Sequence, residues 1–334
     1  MSFIKHNWSS RLPDPGHAPH SVNIRTGHWE DRRQAGPRKV SYKHYYPKAH
    51  FEGEKLPVVL WSHGLGGSID GAAFIARFIA GHGYHVIHIQ HPGTDDSLWQ
   101  GKPGDPWEHI RRAHIPRRQT LQRLQDVPFA IDQIERWNES DPDFAGSFDL
   151  EAVGMSGHSF GAFTAQVMAG MQMGRGKRLY SLKEPRIRAA LPYSPPPSSN
   201  KTDPKDRIYG PIDIPLFVMT GTADDSPVGG WPYTWRLPVY NAAGAREKHL
   251  LVLDRGDHLV FNGTRRSPPP GVDREAQKRT INVASLAFWD AYLKRDPGAQ
   301  NSLISGAWLG SGDIYRYNTP YDPDTRPDTR RESA

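Results

Sequence analysis

Cysteine is absent from this 334-residue chain, so disulfides, thiolate metal sites and a cysteine nucleophile are all excluded. No stretch approaches the ~18 consecutive apolar residues that a membrane-spanning helix needs. The start, MSFIKHNWSS, has no apolar core of a secretory signal. As written, the chain reads as soluble and untargeted, as would an exported protein whose leader had been removed. Basic residues rarely alternate with aromatic ones in the manner of a nucleic-acid surface. The formal charge of +6 is therefore read as a solvated basic face, and no nucleic-acid partner is expected. No internal repeat is present, and nothing in the sequence marks an oligomeric state.

What is present suits a globular fold. Hydrophobic residues make up 37% and charged residues 23% of the chain, and several short apolar segments are available to build a core. The 30 prolines and 32 glycines fall mostly between those segments, which points to long loops. An extended pattern at 39–46 precedes a short apolar run at 58–61, a glycine-rich loop at 63–67 and a helical spacing at 69–81. Strand composition returns at 85–90. A long irregular segment from His91 to Ala113, with Pro92, Pro103 and Pro106, is long enough to be a lid. A helix is expected at 117–137.

Further strands are expected at 152–155, 189–193, 216–220 and 249–253, and helices at 160–173 and 274–293. Alternation of this kind predicts an α/β fold, a mostly parallel central sheet with helices on both faces and a lid insertion after the strand ending near His91. One domain is expected across 1–334, with a core at about 39–295, a candidate lid at 92–113 and a surface tail at 311–334. The tail is rich in Asp, Arg, Pro and Thr and has little apolar content.

The sharpest motif is Gly157-His158-Ser159-Phe160-Gly161, set between an expected strand and an expected helix. A sharp strand-to-helix turn lifts such a serine hydroxyl into the open, and the flanking glycines leave room where side chains would collide. Ser159 is the candidate nucleophile. One oxyanion donor is the N–H of Phe160, the residue after it; the second is the N–H of Leu65, in the loop His63-Gly64-Leu65-Gly66-Gly67 after the strand at 58–61. The acid belongs on a loop after a downstream strand, where Asp224 and Asp225 are adjacent. Asp224 is preferred, Asp225 remaining the alternative. The base comes last in chain order, and His258 of Gly256-Asp257-His258 meets that requirement.

Together, GHSFG at 157–161, HGLGG at 63–67, GTADDSP at 221–227 and GDH at 256–258 resemble the α/β-hydrolase superfamily. Within it, the chain is similar to the esterases grouped with platelet-activating-factor acetylhydrolases and predicted dienelactone hydrolases. The similarity spans roughly Lys39 to Arg295. It implies a serine carboxylesterase acting on a small-molecule ester through Ser159, Asp224 and His258, with no cofactor. Dienelactone hydrolases proper use a cysteine, which this chain does not have. A lactonase, an amidase, a polyester hydrolase or an acyltransferase would use the same constellation, and a non-catalytic binding protein would share the fold.

Other clusters have duller readings beside them. His85 and His91 share one strand face ~20 Å apart while His88 points the other way, so the three do not converge on a metal and none is expected. His63 and His91 are read as lining or rimming the site. Trp99, Trp107, Trp231, Tyr233 and Trp235 adjoin strand ends, and either line an acyl pocket or anchor long loops. Arg111, Arg112, Arg117, Arg118 and Arg123 form a basic run, read as a solvated face with Arg123 and Asp126 paired at helical i,i+3 spacing.

Overall fold

The structure, a computed structural model, describes residues 6–323 apart from 9–10, 15, 34–35, 49–53, 264–267 and 269. In chain order the strands and helices are β1 (Val22–Asp31), β2 (Arg38–Pro47), β3 (Leu56–Ser62), α1 (Ala73–Gly81) and β4 (His85–Ile89). Then follow α2 (Pro106–Arg112), α3 (Arg117–Ser140), β5 (Phe148–His158), α4 (Phe160–Ala169), β6 (Ile187–Tyr193) and α5 (Lys205–Tyr209). The last part holds β7 (Leu216–Ala223), α6 (Pro238–Asn241), β8 (Lys248–Asp257), α7 (Arg274–Tyr292), α8 (Pro297–Ser305) and β9 (Ile314–Tyr317). Among the described residues, no helix is long and apolar enough to cross a membrane.

The strands form one sheet in the order β1-β2-β4-β3-β5-β6-β7-β8-β9. From β4 to β8 every neighbour is parallel, whereas β1, β2 and β9 add antiparallel edges. β3 shows why the centre reads as unbroken apolar sequence. Each of its seven residues is buried, because the strand period of two sends Val58 and Leu60 into one core and Val59 and Trp61 into the other. The first core is covered by α3 and α4, through residues such as Val127, Ile131 and Val167. The second is covered by α1 and α7, through Ile75, Phe78, Ile281 and Phe288. Parallel strands also carry their C-terminal ends to one edge, and the loops that hold Leu65, Ser159, Asp224 and His258 all leave the sheet there.

Several boundaries differ from the sequence reading. The sheet begins before residue 39, since β1 pairs with β2 over ten positions. Within the expected surface tail, Ile314–Tyr317 forms a half-buried edge strand, β9, paired with β8. Residues 324–334 of that tail lie outside the described residues. The helix expected from residue 69 starts at Ala73, after Ala72 turns through a left-handed φ of 56°. The irregular segment at 91–113 contains α2, capped by the Asp105 side chain on the Trp107 N–H and opened by Pro106.

Candidate active site

β5 delivers Ser159 to the start of α4 at φ 55° and ψ −116°. Few side chains tolerate that backbone, and strain of this kind persists only where the surroundings enforce it. Here the Ser159 N–H is held by Tyr193 O at 3.0 Å. A Cβ on Gly157 would sit 2.6 Å from both Gly161 and Ser62 O, and one on Gly161 would strike Ser62 O. Both glycines thus admit the end of β3 against the turn. The same close approach brings the next loop to the serine, for a Cβ built on Gly64 would lie 3.5 Å from Ser159 Cβ. Ser159 itself is half-buried. Phe160 is the first residue of α4, so its N–H has no partner inside the helix.

The carbonyls of the 63–67 loop are claimed from behind. His63 O accepts from Arg123 Nη2. Gly64 O accepts from His63 Nδ1–H at 2.7 Å and from the Gly67 N–H at 3.0 Å. Gly66 O accepts from Trp99 Nε1–H at 2.7 Å. In a trans peptide the N–H points opposite the C=O, so holding Gly64 O fixes the direction of the Leu65 N–H. Arg123 is wholly buried. It also donates to Ser62 Oγ, Thr94 Oγ1 and Thr164 Oγ1 at 2.8–2.9 Å, and its guanidinium lies 4.6 Å from the Phe160 ring. Burial pulls its pKa down to about 9, opposed by Asp126 and Asp95. Arg123 is therefore no solvated residue, and Asp126 is not its hydrogen-bond partner. Asp126, equally buried, binds Arg38 at 2.7 and 2.8 Å and His91 at 2.9 Å.

That network contains a buried Ser–His–Asp array. Ser62 Oγ lies 2.9 Å from His91 Nε2, and His91 Nδ1 lies 2.9 Å from Asp126 Oδ2. All three are sealed at 0% exposure. Burial holds the His91 imidazole neutral, far below its ordinary pKa. His91 was expected at the rim; with both ring nitrogens bonded inside the molecule, it is a strut instead. His63 is likewise buried, at 1% exposure. Its Nε2 accepts the His91 N–H at 3.0 Å, so it braces the loop and does not face a ligand.

At the acid loop, Asp224 turns inward to 0% exposure while Asp225 faces solvent. The Asp224 carboxylate receives four bonds. His258 Nδ1 lies at 2.7 Å and Arg236 Nη2 at 2.7 Å from Oδ1, with Ser194 Oγ at 2.6 Å and Thr220 Oγ1 at 2.8 Å from Oδ2. Burial pushes this carboxyl up, but Arg236, His258 and the Ser194 hydroxyl outweigh it and hold the group below the ordinary carboxylate range. His258 ends a turn that Asp257 locks, accepting from the Leu259 and Val260 N–H groups and from Arg274. His158, buried and kept neutral by desolvation, places Nε2 2.8 Å from His258 O. A carbonyl only accepts, so Nε2 carries the proton and props the loop.

A cavity of about 900 Å³ opens beside His258 and is lined by Trp107, Arg111, Pro227 and Leu259 among others. Its size lies at the upper end of ordinary ligand pockets, ~300–1,000 Å³. The aromatic candidates divide. Trp107 reaches this cavity from α2, whereas Trp99 anchors the segment before α2 to Gly66. Trp231 covers the Arg236 guanidinium at 4.4 Å, and Trp235, 47% exposed, stacks on Trp231 with planes 7° apart.

Arg236, Ser194, Thr220, His158 and Arg123 escaped the sequence reading as site residues. Thr220 closes an expected strand and His158 stands inside GHSFG, so the motif's own neighbours carried a signal. For Arg236 there is none, since a buried arginine looks like any other until its partners are known.

A mostly parallel sheet with the order given above, a strained serine at the β5–α4 turn and a carboxylate-bound histidine after β8 define the α/β-hydrolase fold. The chain resembles esterases of the platelet-activating-factor acetylhydrolase type. It is 24% identical over 292 residues to "Platelet-activating factor acetylhydrolase" of Cavia porcellus, which covers 76% of this chain and 62% of the relative. It is also 24% identical over 149 residues to the protein of the same name from Canis lupus familiaris, covering 34% of this chain and 31% of that one. The chain thus spans less than two thirds of the length of the curated relatives it matches. No protein-family model matches this sequence.

Proposed function

We propose that this protein hydrolyses carboxylic esters through an acyl-enzyme on Ser159. The observation that carries the reading is the left-handed Ser159 turn at the same sheet edge as a His258 bound to Asp224 at 2.7 Å. Ser159 Oγ attacks the acyl carbon while His258 Nε2 takes its proton, and Asp224 holds the Nδ1–H and stabilises the imidazolium. The oxyanion is bound by the N–H groups of Phe160 and Leu65. His258 returns the proton to the departing alcohol, and water then cleaves the acyl-enzyme by the same steps in reverse roles.

The substrate is a small or medium ester, and a cavity opens beside the proposed base His258. The relatives' name, acetylhydrolase, supports a short acyl group. In this reading residues 92–113 form a lid, with α2 over the cavity, and the single continuous sheet supports one domain.

The test compares wild type and Ser159→Ala on p-nitrophenyl acetate, butyrate and octanoate, with a fluorophosphonate probe in parallel. Loss of the nucleophile is expected to lower turnover by up to ~10⁶-fold and to abolish labelling. An unchanged rate in Ser159→Ala would sink the proposal.

A further inference from the structure

Arg236 joins the proposed catalytic machinery from behind. It is 0% exposed, at the end of the loop that begins with Asp224. Its Nη2 donates to Asp224 Oδ1 at 2.7 Å, the oxygen that also accepts from His258 Nδ1. Two donors on one oxygen are forced close, and Arg236 Nη2 lies 3.1 Å from His258 Nδ1. The guanidinium is fixed there by Asp224 O at 3.0 Å, Ser194 O at 2.9 Å and Pro195 O at 3.3 Å, with Trp231 stacked across it. It cannot swing away when His258 takes a proton.

We infer that Arg236 is a positioning residue that sets how readily His258 is protonated, by neutralising Asp224 and by standing as a fixed positive charge against the imidazolium. The inference rests on the triad proposed above. In an ordinary triad the acid's full negative charge favours the imidazolium. Here the Asp224–Arg236 pair is close to neutral, so the imidazolium gains less from Asp224 and is repelled by Arg236. The same side chain closes the 224–236 loop on its own first residue, with Trp231 across its guanidinium.

Other titratable groups face His258 and stay constant in the comparison. His158 packs on it at 4.6 Å between ring centroids and is kept neutral by burial. Asp257, next in the chain, is paired with Arg274 of α7. Asp105 and Arg111 of the α2 segment, and the exposed Asp225, share its cavity. Arg236 is the charge that touches both ends of the Asp224–His258 bond.

The experiment uses the full chain with Arg236→Gln, Arg236→Met and Arg236→Lys. Two readouts are taken: the pH dependence of kcat/KM on p-nitrophenyl acetate, and the titration of the His258 ring followed by NMR. Removing the charge is expected to move the acid limb and the ring midpoint to higher pH by about one unit. In those variants kcat falls about tenfold with KM held within about twofold, the pattern of an interaction that acts after binding. The ammonium of Arg236→Lys keeps the charge but not the fork, so kcat falls while the acid limb stays within about 0.2 unit.

Folded Gln or Met variants with the wild-type midpoint overturn the inference. A Lys variant whose limb moves by a full unit also overturns it, which keeps the test decisive if the uncharged variants do not fold. The ring titration needs no turnover. A wild type that cleaves no ester therefore refutes the proposed function separately, while the role of Arg236 is still decided by NMR.

Discussion

At Ser62 the hydroxyl already sits 2.9 Å from His91 Nε2, and Arg123 donates to the same oxygen at 2.8 Å. Its lone pairs and proton are committed in a site that no ligand enters. At Ser159 the oxygen stands on a strained turn at the sheet edge, half-buried and next to the 63–67 loop. Accessibility therefore separates two serines that the hydrogen-bond pattern alone would rank the other way. Ser62→Ala is expected to keep fluorophosphonate labelling yet lose stability, by ~1–3 kcal/mol for buried polar groups left without a partner. Labelling lost in Ser62→Ala and kept in Ser159→Ala would reverse the assignment. The two adjacent acids separate in the same way. Asp224→Asn is expected to cut kcat ~10⁴-fold, because an amide in place of the carboxylate favours the wrong imidazole tautomer. Asp225→Asn, at an exposed side chain that lines the cavity but does not touch His258, should lower kcat far less; equal losses in the two variants would contradict the inward role of Asp224.

Among the elements, α2 sets the shape of the cavity. Trp107 projects from its first turn into the space beside His258, Ile110 one turn on is buried against Gly66, and Trp99 pins the preceding loop to Gly66. Trp107→Ala is expected to raise the octanoate-to-acetate rate ratio by about an order of magnitude, since extra methylenes are then accommodated. If both rates fall together, the helix serves only to brace the loop. This element was hidden in the sequence by the prolines and glycines around it, although Asp105 followed three residues later by Glu108 is a helix-start signal that the composition overrode. The central strands were legible because burial on both faces leaves little but apolar residues, as in β3. β1 was not, because its outer face is solvated and Arg25, Thr26, His28 and Glu30 dilute the pattern. Motif spacing brought Ser159, Asp224 and His258 forward as candidates, but the buried arginines behind them were illegible. Arg123 and Arg236 are charges whose cost is met by partners 30 to 60 residues away in the chain, or across a loop, and no local pattern encodes that.

The whole molecule stores an unusual number of neutral histidines. Of the 16 in the chain, His44, His63, His82, His85, His88, His91, His158 and His249 are all buried, and burial is the first cause that lowers each of their pKa values. His82 falls to about 4, and His85, His88 and His249 to about 3. In the unfolded chain each returns to about 6.5. Between those limits the unfolded state binds protons that the folded state excludes, so stability is intact above pH 6.5 and is lost as pH falls toward 3. The slope is ~1.4 kcal/mol per pH unit for each histidine. Four of them acting over two units would remove ~11 kcal/mol, comparable with the whole stability of a typical domain, ~5–15 kcal/mol. Carboxylates such as Asp224 and Asp31, held below their ordinary range by arginine partners among other groups, fail only at lower pH. The expected course is a urea midpoint, read by tryptophan fluorescence, that is flat from pH 8 to 7 and drops steeply below 6.5, with unfolding in buffer before pH 4. Replacing His249, which is held between Tyr292 and Tyr315 at 2.7 Å from each hydroxyl, by glutamine should make that slope shallower by about one proton. A midpoint that stays level from pH 7.5 to 4.5 would mean that these rings accept protons in the folded state, and that burial does not hold them neutral.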